Sequence, residues 1–154
     1  MPNKVHPGRA YPLGGNLLSG GVNFSVFSKN ATAVELLLFD DVDDAAPARV
    51  IALDPRITRT FYYWHVFVPG LAAGQLYAYR AHGPWLPEFG LRFDGAKVLL
   101  DPYGRAVAYS DRYSRAAAAR PGDNAAAAMK SVVTDPRAYN WEGDKPLQVP
   151  YAGS

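Results

Sequence analysis

Pro69–Gly104, PGLAAGQLYAYRAHGPWLPEFGLRFDGAKVLLDPYG, carries the pattern that decides the fold. Pro69-Gly70 and Ala73-Gly74 are turn signals, and Gln75–Gly83 after them alternates as a strand does. Period 2 puts Tyr77, Tyr79 and Ala81 on one face, expected inward, and Ala78, Arg80 and His82 on the other. Gly83-Pro84 then breaks the strand, Trp85 follows the break, and a second apolar run, Lys97–Leu100, ends in Asp101-Pro102-Tyr103-Gly104, a type I or II turn. N-terminal to this stretch, Val22–Val26 alternates apolar and polar residues, one face for a core and one for water. Thr32–Phe39 is short and apolar, and Ser28-Lys29-Asn30-Ala31 before it has turn chemistry, so the two runs are expected to form a hairpin. Arg49–Leu53, Thr60–Val68 and Arg105–Ala108 complete seven strand-length segments. Seven short strands at this spacing predict an all-β chain, an immunoglobulin-like β-sandwich of about 100 residues, over positions 1–108.

From Tyr109 the character changes. Arg115–Arg120 and Gly122–Ala128 are alanine-rich and lack large apolar groups, which predicts loop or marginal helix. Ser131-Val132-Val133 reads as a brief strand, and Asp135–Ser154 is rich in Pro, Gly, Tyr and polar residues. Positions 109–154 are therefore expected to form an irregular linker segment.

Composition narrows the function. The 154 residues are 49% apolar and 19% charged, as in an ordinary soluble domain. Sixteen basic and 14 acidic residues, net +2, are interspersed, so no basic track for nucleic acid is expected. There is no cysteine, hence no disulfide framework or thiolate metal site. The opening MPNKVHPGRAYPLGG lacks the apolar core of a signal peptide, and no run approaches the roughly 18 apolar residues of a membrane span. A cytoplasmic protein without membrane partners is the expectation. A (β/α)8 barrel needs about 250 residues, so no such catalytic body fits within these positions.

Three features invite a chemical reading. Gly90-Leu91-Arg92-Phe93-Asp94-Gly95-Ala96 superficially resembles the Gly-x-Arg-x-Asp nucleophile segment of the α-amylase superfamily. A retaining glycosidase also needs a second carboxyl about 5–5.5 Å away, and no Glu sits in a comparable motif. Asp94 is read as part of a structural turn, with Arg92 or Asp94 bonding backbone, and no catalytic residue is assigned. Among the tryptophans, Trp64 shares parity with Val66 and Val68 and is expected in the core, its indole N–H paired. Trp85, held by a rigid turn, is the glycan-stacking or interdomain candidate, with Arg80 and His82 beside it as groups able to meet ligand hydroxyls or a partner domain. Trp141, in Tyr139-Asn140-Trp141-Glu142-Gly143-Asp144, is expected to dock the linker. His6, His65 and His82 lack metal-ligand spacing, so neither a metal nor a cofactor is expected. Gly14-Gly15 and Gly20-Gly21 lie outside any phosphate-binding context.

Nearly the whole chain resembles a known family. Arg9–Gly14 with Gly21–Ser28, Val34–Asp40, Trp64–Leu71 and Tyr77–Pro84 resemble successive blocks of the N-terminal domain of isoamylase-type glycogen debranching enzymes. Lys130–Val133 and Tyr139–Asp144 resemble their approach to the catalytic barrel. Asp94-Gly95 departs from the Asn-Pro more usual there. The resemblance implies a parent enzyme that hydrolyses α-1,6-glucosidic branches by a retaining mechanism in a barrel following this domain, with the domain as a non-catalytic accessory that orients the barrel and contacts α-glucan (glycogen) weakly. A free-standing glucan-binding or protein-interaction module is the alternative. The domain is also similar to glycogen-binding modules such as that of the AMP-activated protein kinase β subunit. By that resemblance Trp85 falls at one sugar-stacking tryptophan, Ala78 stands at the sugar-contacting lysine, and the acidic, Trp-free segment Asp40–Asp44 replaces the loop of the other tryptophan.

Overall fold

In the computed structural model, which describes residues 4–109, 111, 113–119 and 122–138, Tyr77, Tyr79 and Ala81 are buried between two sheets, as their parity predicts. The strands are β1 (Gly14–Leu18), β2 (Gly21–Phe27), β3 (Ala33–Phe39), β4 (Arg49–Leu53), β5 (Arg59–Thr60), β6 (Tyr63–Pro69), β7 (Leu76–His82), β8 (Trp85–Leu86), β9 (Leu91–Arg92), β10 (Ala106–Ala108) and β11 (Lys130–Val132). One sheet has the order β1-β2-β6-β5 and the other β10-β11-β7-β3-β4, while β8 and β9 form a separate hairpin. Every named strand pair is antiparallel. The architecture is an immunoglobulin-like β-sandwich.

Its core is built from the inward parity of each strand. Val22, Phe24, Val26, Trp64, Val66 and Val68 from the first sheet meet Val34, Leu36, Leu38, Tyr77 and Tyr79 from the second. Phe24 packs edge-on against Tyr77 at 4.8 Å between centroids, a cross-sheet contact contributing about 0.5–1.5 kcal/mol beyond area burial. Trp64 is wholly buried, and its indole N–H donates to Ser28 O at 3.2 Å. The Tyr77 hydroxyl donates to Asp101 Oδ2 at 2.7 Å. Burial pushes the Asp101 carboxyl above the usual carboxylate range despite bonds from Tyr77 and the Tyr103 N–H, and burial likewise raises the Tyr77 phenol.

Several sequence expectations are corrected. β2 and β3 do not form a hairpin: β2 lies between β1 and β6, and β3 between β4 and β7. Val22, Phe24 and Val26 of β2 and Val34, Leu36 and Leu38 of β3 cover each other from opposite sheets, whereas side by side both rows would need a further layer. Thr60–Val68 is not one strand, because Phe61 takes φ 59° and turns the chain between β5 and β6. Lys97–Leu100 forms only a single bridge, Leu99 to Tyr79. The polar face of β2 does not meet water. Asn23 exchanges hydrogen bonds with the Arg9 backbone, Ser25 Oγ donates to Ala10 O, and on β6 the buried His65 ring bonds Pro7 O and Thr60 Oγ1, so residues 6–10 strap this face.

The alanine-rich stretch does more than connect. It includes a short helix α1 (Arg115–Ala119), and Ala125 and Ala128 pack with Val98 onto Leu37, Phe39 and Ala78, covering the outer face of β3 and β7. β11 inserts between β10 and β7, so residues to at least Val133 belong to the sandwich body. Small side chains let this segment lie close to the sheet. Lys130 anchors it: fully buried, its ammonium donates to Val42 O, Ala125 O and Ala128 O and lies 4.7 Å from the Phe39 ring centroid. Among the described residues, no helix is long and apolar enough to cross a membrane.

Candidate functional site

The outer face of β7 runs from apolar to polar. Ala78 is fully buried beneath the alanine-rich cover, and two residues on, Arg80 Nη2 meets Asp123 Oδ1 at 3.1 Å. Asp123 Oδ1 also accepts the Ala125 N–H, and the Arg80 side chain is only 20% exposed. Arg80 thus fastens the covering segment, which leaves it little freedom to reach a ligand. Glu35, opposite Arg80 in the β3–β7 register, contacts His82 Nε2 through Oε1 at 2.7 Å. His82 is half-exposed and lies nearer the open end of the sheet.

Beyond His82 the chain makes a close approach that only glycine permits. A Cβ on Gly83 would stand 2.6 Å from the Phe93 ring, and one on Gly95 would stand 2.3 Å from His82 Nδ1. The Asp94-Gly95 departure noted in the sequence therefore has a local cause: the His82 imidazole occupies the space of a side chain at 95. Between these contacts the β8–β9 hairpin projects. Pro87–Phe89 forms one 3-10 turn closed by Gly90 at φ 76°, with the Gly90 N–H donating to Pro87 O. Trp85 pairs with Arg92 across the hairpin.

Trp85 is 59% exposed. With Arg92, Asp94, Lys97 and Leu99 it lines a cleft of about 420 Å³ whose far wall is Ala118 and Ala119 of α1. The Lys97 ammonium donates to Ala117 O at 2.6 Å, tying that wall to the sheet. Asp94 Oδ1 accepts the Ala96 N–H and Asp94 O the Lys97 N–H, a backbone-closing turn. Among the described residues, Asp94 is the one carboxylate lining this cleft, so the pair that glycoside hydrolysis needs is missing from them. An exposed indole flanked by guanidinium and carboxylate groups suits binding to a ring that carries apolar C–H faces and hydroxyls.

The structure brings Trp85 and His82 to one end of the sandwich and diverts Arg80 to a structural pairing, while Trp141 lies outside the described residues. Sequence reasoning missed Lys97 and the α1 wall, which depend on a long-range return of the chain. The Ala78 position is covered. The Asp40–Asp44 loop follows the far end of β3, the end paired with Leu76; within it the Asp41 N–H donates to Asp44 Oδ2 and the Asp43 N–H to Asp41 Oδ1, and Val42 O accepts from Lys130. The surface between that loop and Trp85 is occupied by the chain's own covering segment.

The sequence and the fold have known relatives. Residues 12–104 match carbohydrate-binding module 48 (isoamylase N-terminal domain). The chain is 43% identical over 153 residues to a glycogen debranching enzyme of Serratia proteamaculans, covering 96% of this chain and 22% of that protein. It is 37% identical over 150 residues to chloroplastic isoamylase 1 of Oryza sativa, covering 96% of this chain and 18% of that protein. The chain thus spans about a fifth of these relatives' length. A pullulanase from Paenibacillus barengoltzii, solved with maltohexaose and α-cyclodextrin, shares the fold at a TM-score of 0.60 and 19% identity, over 92% of this chain and 18% of that one. In such relatives this module and the catalytic domain share one polypeptide. A sandwich of this topology with a matching sequence over most of its strands identifies the chain as a member of the carbohydrate-binding module 48 (isoamylase N-terminal domain) family.

Proposed function

We propose that this domain is the non-catalytic accessory module of a glycogen-debranching glycoside hydrolase that acts in the cytoplasm on α-1,6-glucosidic branches. It orients a catalytic barrel of the same polypeptide, and Trp85 offers its ring to an α-glucan chain. The observation that carries the glucan contact is the exposed Trp85 at the mouth of a cleft with Arg92, Asp94 and Lys97 but without a carboxylate pair among the described residues. Stacking of the indole on a glucose face, with hydroxyls meeting Arg92 and Asp94, is an arrangement for binding rather than bond cleavage. Affinity is expected to be weak, because the surface from Ala78 to the Asp40–Asp44 loop is closed to ligand by the covering segment.

Affinity electrophoresis through gels containing glycogen tests this reading. Wild-type protein should be retarded, and Trp85→Ala should weaken retardation about tenfold, as truncation of an aromatic anchor does. Equal mobility of the two proteins would exclude Trp85 as the contact.

A further inference from the structure

The Trp85 hairpin is not the only aromatic tip at its end of the molecule. Phe27, the last residue of β2, pairs with Tyr63 at the start of β6, and Ala33, the first of β3, pairs with His82 at the end of β7. The Ser28–Thr32 crossover joins the two edges: the Ser28 N–H donates to Tyr62 O at 2.9 Å and the Thr32 N–H to His82 O at 2.7 Å. The β5–β6 hairpin and the Trp85 hairpin therefore leave the same end of the sandwich, one from each sheet, across a separation of about 10 Å between packed sheets. Between them lies a mostly apolar cleft of about 330 Å³, with Phe27, Ser28, Ala81 and Phe93 on its walls.

The β5–β6 tip has an unusual construction. Arg59 pairs with Trp64 and Thr60 with Tyr63, which leaves Phe61 and Tyr62 as the two central residues. A positive φ at the first alone is the II′ hairpin pattern, whose first central position normally belongs to glycine. Phe61 is the one non-glycine residue with positive φ among the described residues, and it is 74% exposed. Burial does not compensate for this conformation; its effect is to hold an aromatic ring outward. That ring lies 4.3 Å from Tyr62, which meets Phe27 edge-on at 6.2 Å, so three rings form a contiguous surface. Arg59 lies 5.6 Å over Tyr62 and donates through Nε to Phe61 O, and the Lys29 ammonium lies 6.0 Å from the Tyr62 ring.

Aromatic faces rimmed by two cationic donors and a phenol match a ligand whose rings present C–H faces inside a belt of hydroxyls. We propose that the Phe61–Tyr62 tip is a second α-glucan contact, distinct from Trp85 and on the same end of the sandwich, so that a branched or bent glucan engages both tips at once. The ligand class rests on the function proposed above; the location rests on the hairpin geometry alone. Two linked contacts raise retention on a polyvalent glucan beyond either contact singly.

The test uses glycogen-gel electrophoresis and thermal unfolding of wild type, Phe61→Gly, Tyr62→Ala, Trp85→Ala and the Phe61→Gly/Trp85→Ala double variant. Glycine suits the turn, so Phe61→Gly should keep or raise Tm while weakening retardation about threefold to tenfold, the range expected for loss of one stacking contact. Tyr62→Ala should also weaken it, and the double variant should lose more than either single. Retardation unchanged in both Phe61→Gly and Tyr62→Ala, with loss confined to Trp85→Ala, would overturn the second contact and leave the Trp85 reading standing. Wild-type protein that glycogen does not retard would overturn both.

Discussion

Lys130→Met tests whether the segment beyond Tyr109 belongs to the folded body. In the wild type, the buried ammonium is the donor for Val42 O and Ala128 O and shares Ala125 O with the Ala128 N–H. Methionine keeps much of the volume but donates nothing. Leaving the buried Ala128 carbonyl unpaired costs about 1–3 kcal/mol, and the half-buried Val42 carbonyl, which water can reach, adds about 1 kcal/mol at most. Against this stands relief of the charge's own desolvation: burial pulls the Lys130 ammonium below the usual lysine range, opposed by Asp43, Asp44, Asp41 and Asp123. Part of the loss is thus recovered, and the net destabilisation is expected at about 2 kcal/mol. For a domain of this size that lowers Tm by about 4–8 °C. Denaturant unfolding and calorimetry measure it, and amide exchange should quicken first in β11 and β10, which Lys130 ties to the sheet. A Tm within about 2 °C of wild type, or an increase, would refute the assignment of Lys130 as the latch of the covering segment.

Other perturbations read other parts of the structure. Asp101→Asn concerns pH: burial raises the folded carboxyl above its unfolded value near 3.9, so its stability contribution is full below that value and declines as pH rises through the folded pKa. The Tm of wild type minus that of Asp101→Asn should therefore fall with increasing pH from about pH 4 upward; a rising difference would contradict the burial-dominated assignment. Gly95→Ala should displace the His82 ring, break its contact with Glu35 and cost about 1–3 kcal/mol as an overpacked site. In a His82→Ala background the same change should cost markedly less, and full additivity would refute the steric explanation.

The sandwich was legible because its strands are amphipathic at period 2: Tyr77, Tyr79 and Ala81 point inward and Trp64 is buried with its N–H bonded, as their parity requires. Which strands pair was not legible. β2 and β3 have the same local signature whether they form a hairpin or cross between sheets, and the choice depends on which faces must cover each other. The alanine-rich stretch misled for a related reason. Its side chains are too small to register as core, yet that smallness lets residues 123–128 lie against Ala78, while the apolar stem of Lys130 and its ammonium replace a large hydrophobe. At the candidate site, Trp85 stood out by its turn and Asp94 by its missing carboxylate partner. Lys97 and the α1 wall did not, since they approach only through a long-range return of the chain. Phe61 was hidden inside an apparently continuous strand, where its side chain suggested β structure and its backbone turns instead.

The proposed contact between α-glucan and this end of the sandwich runs through Trp85. Titration of maltoheptaose into isotope-labelled protein, followed by amide- and indole-resolved NMR, reads that contact at the residue itself. Dose-dependent shifts are expected at the Trp85 indole N–H and the Arg92 amide, while the Trp64 indole, sealed against Ser28 O, stays fixed. Saturating sugar that leaves the Trp85 signal unmoved, or moves only signals around the Asp40–Asp44 loop, would contradict it.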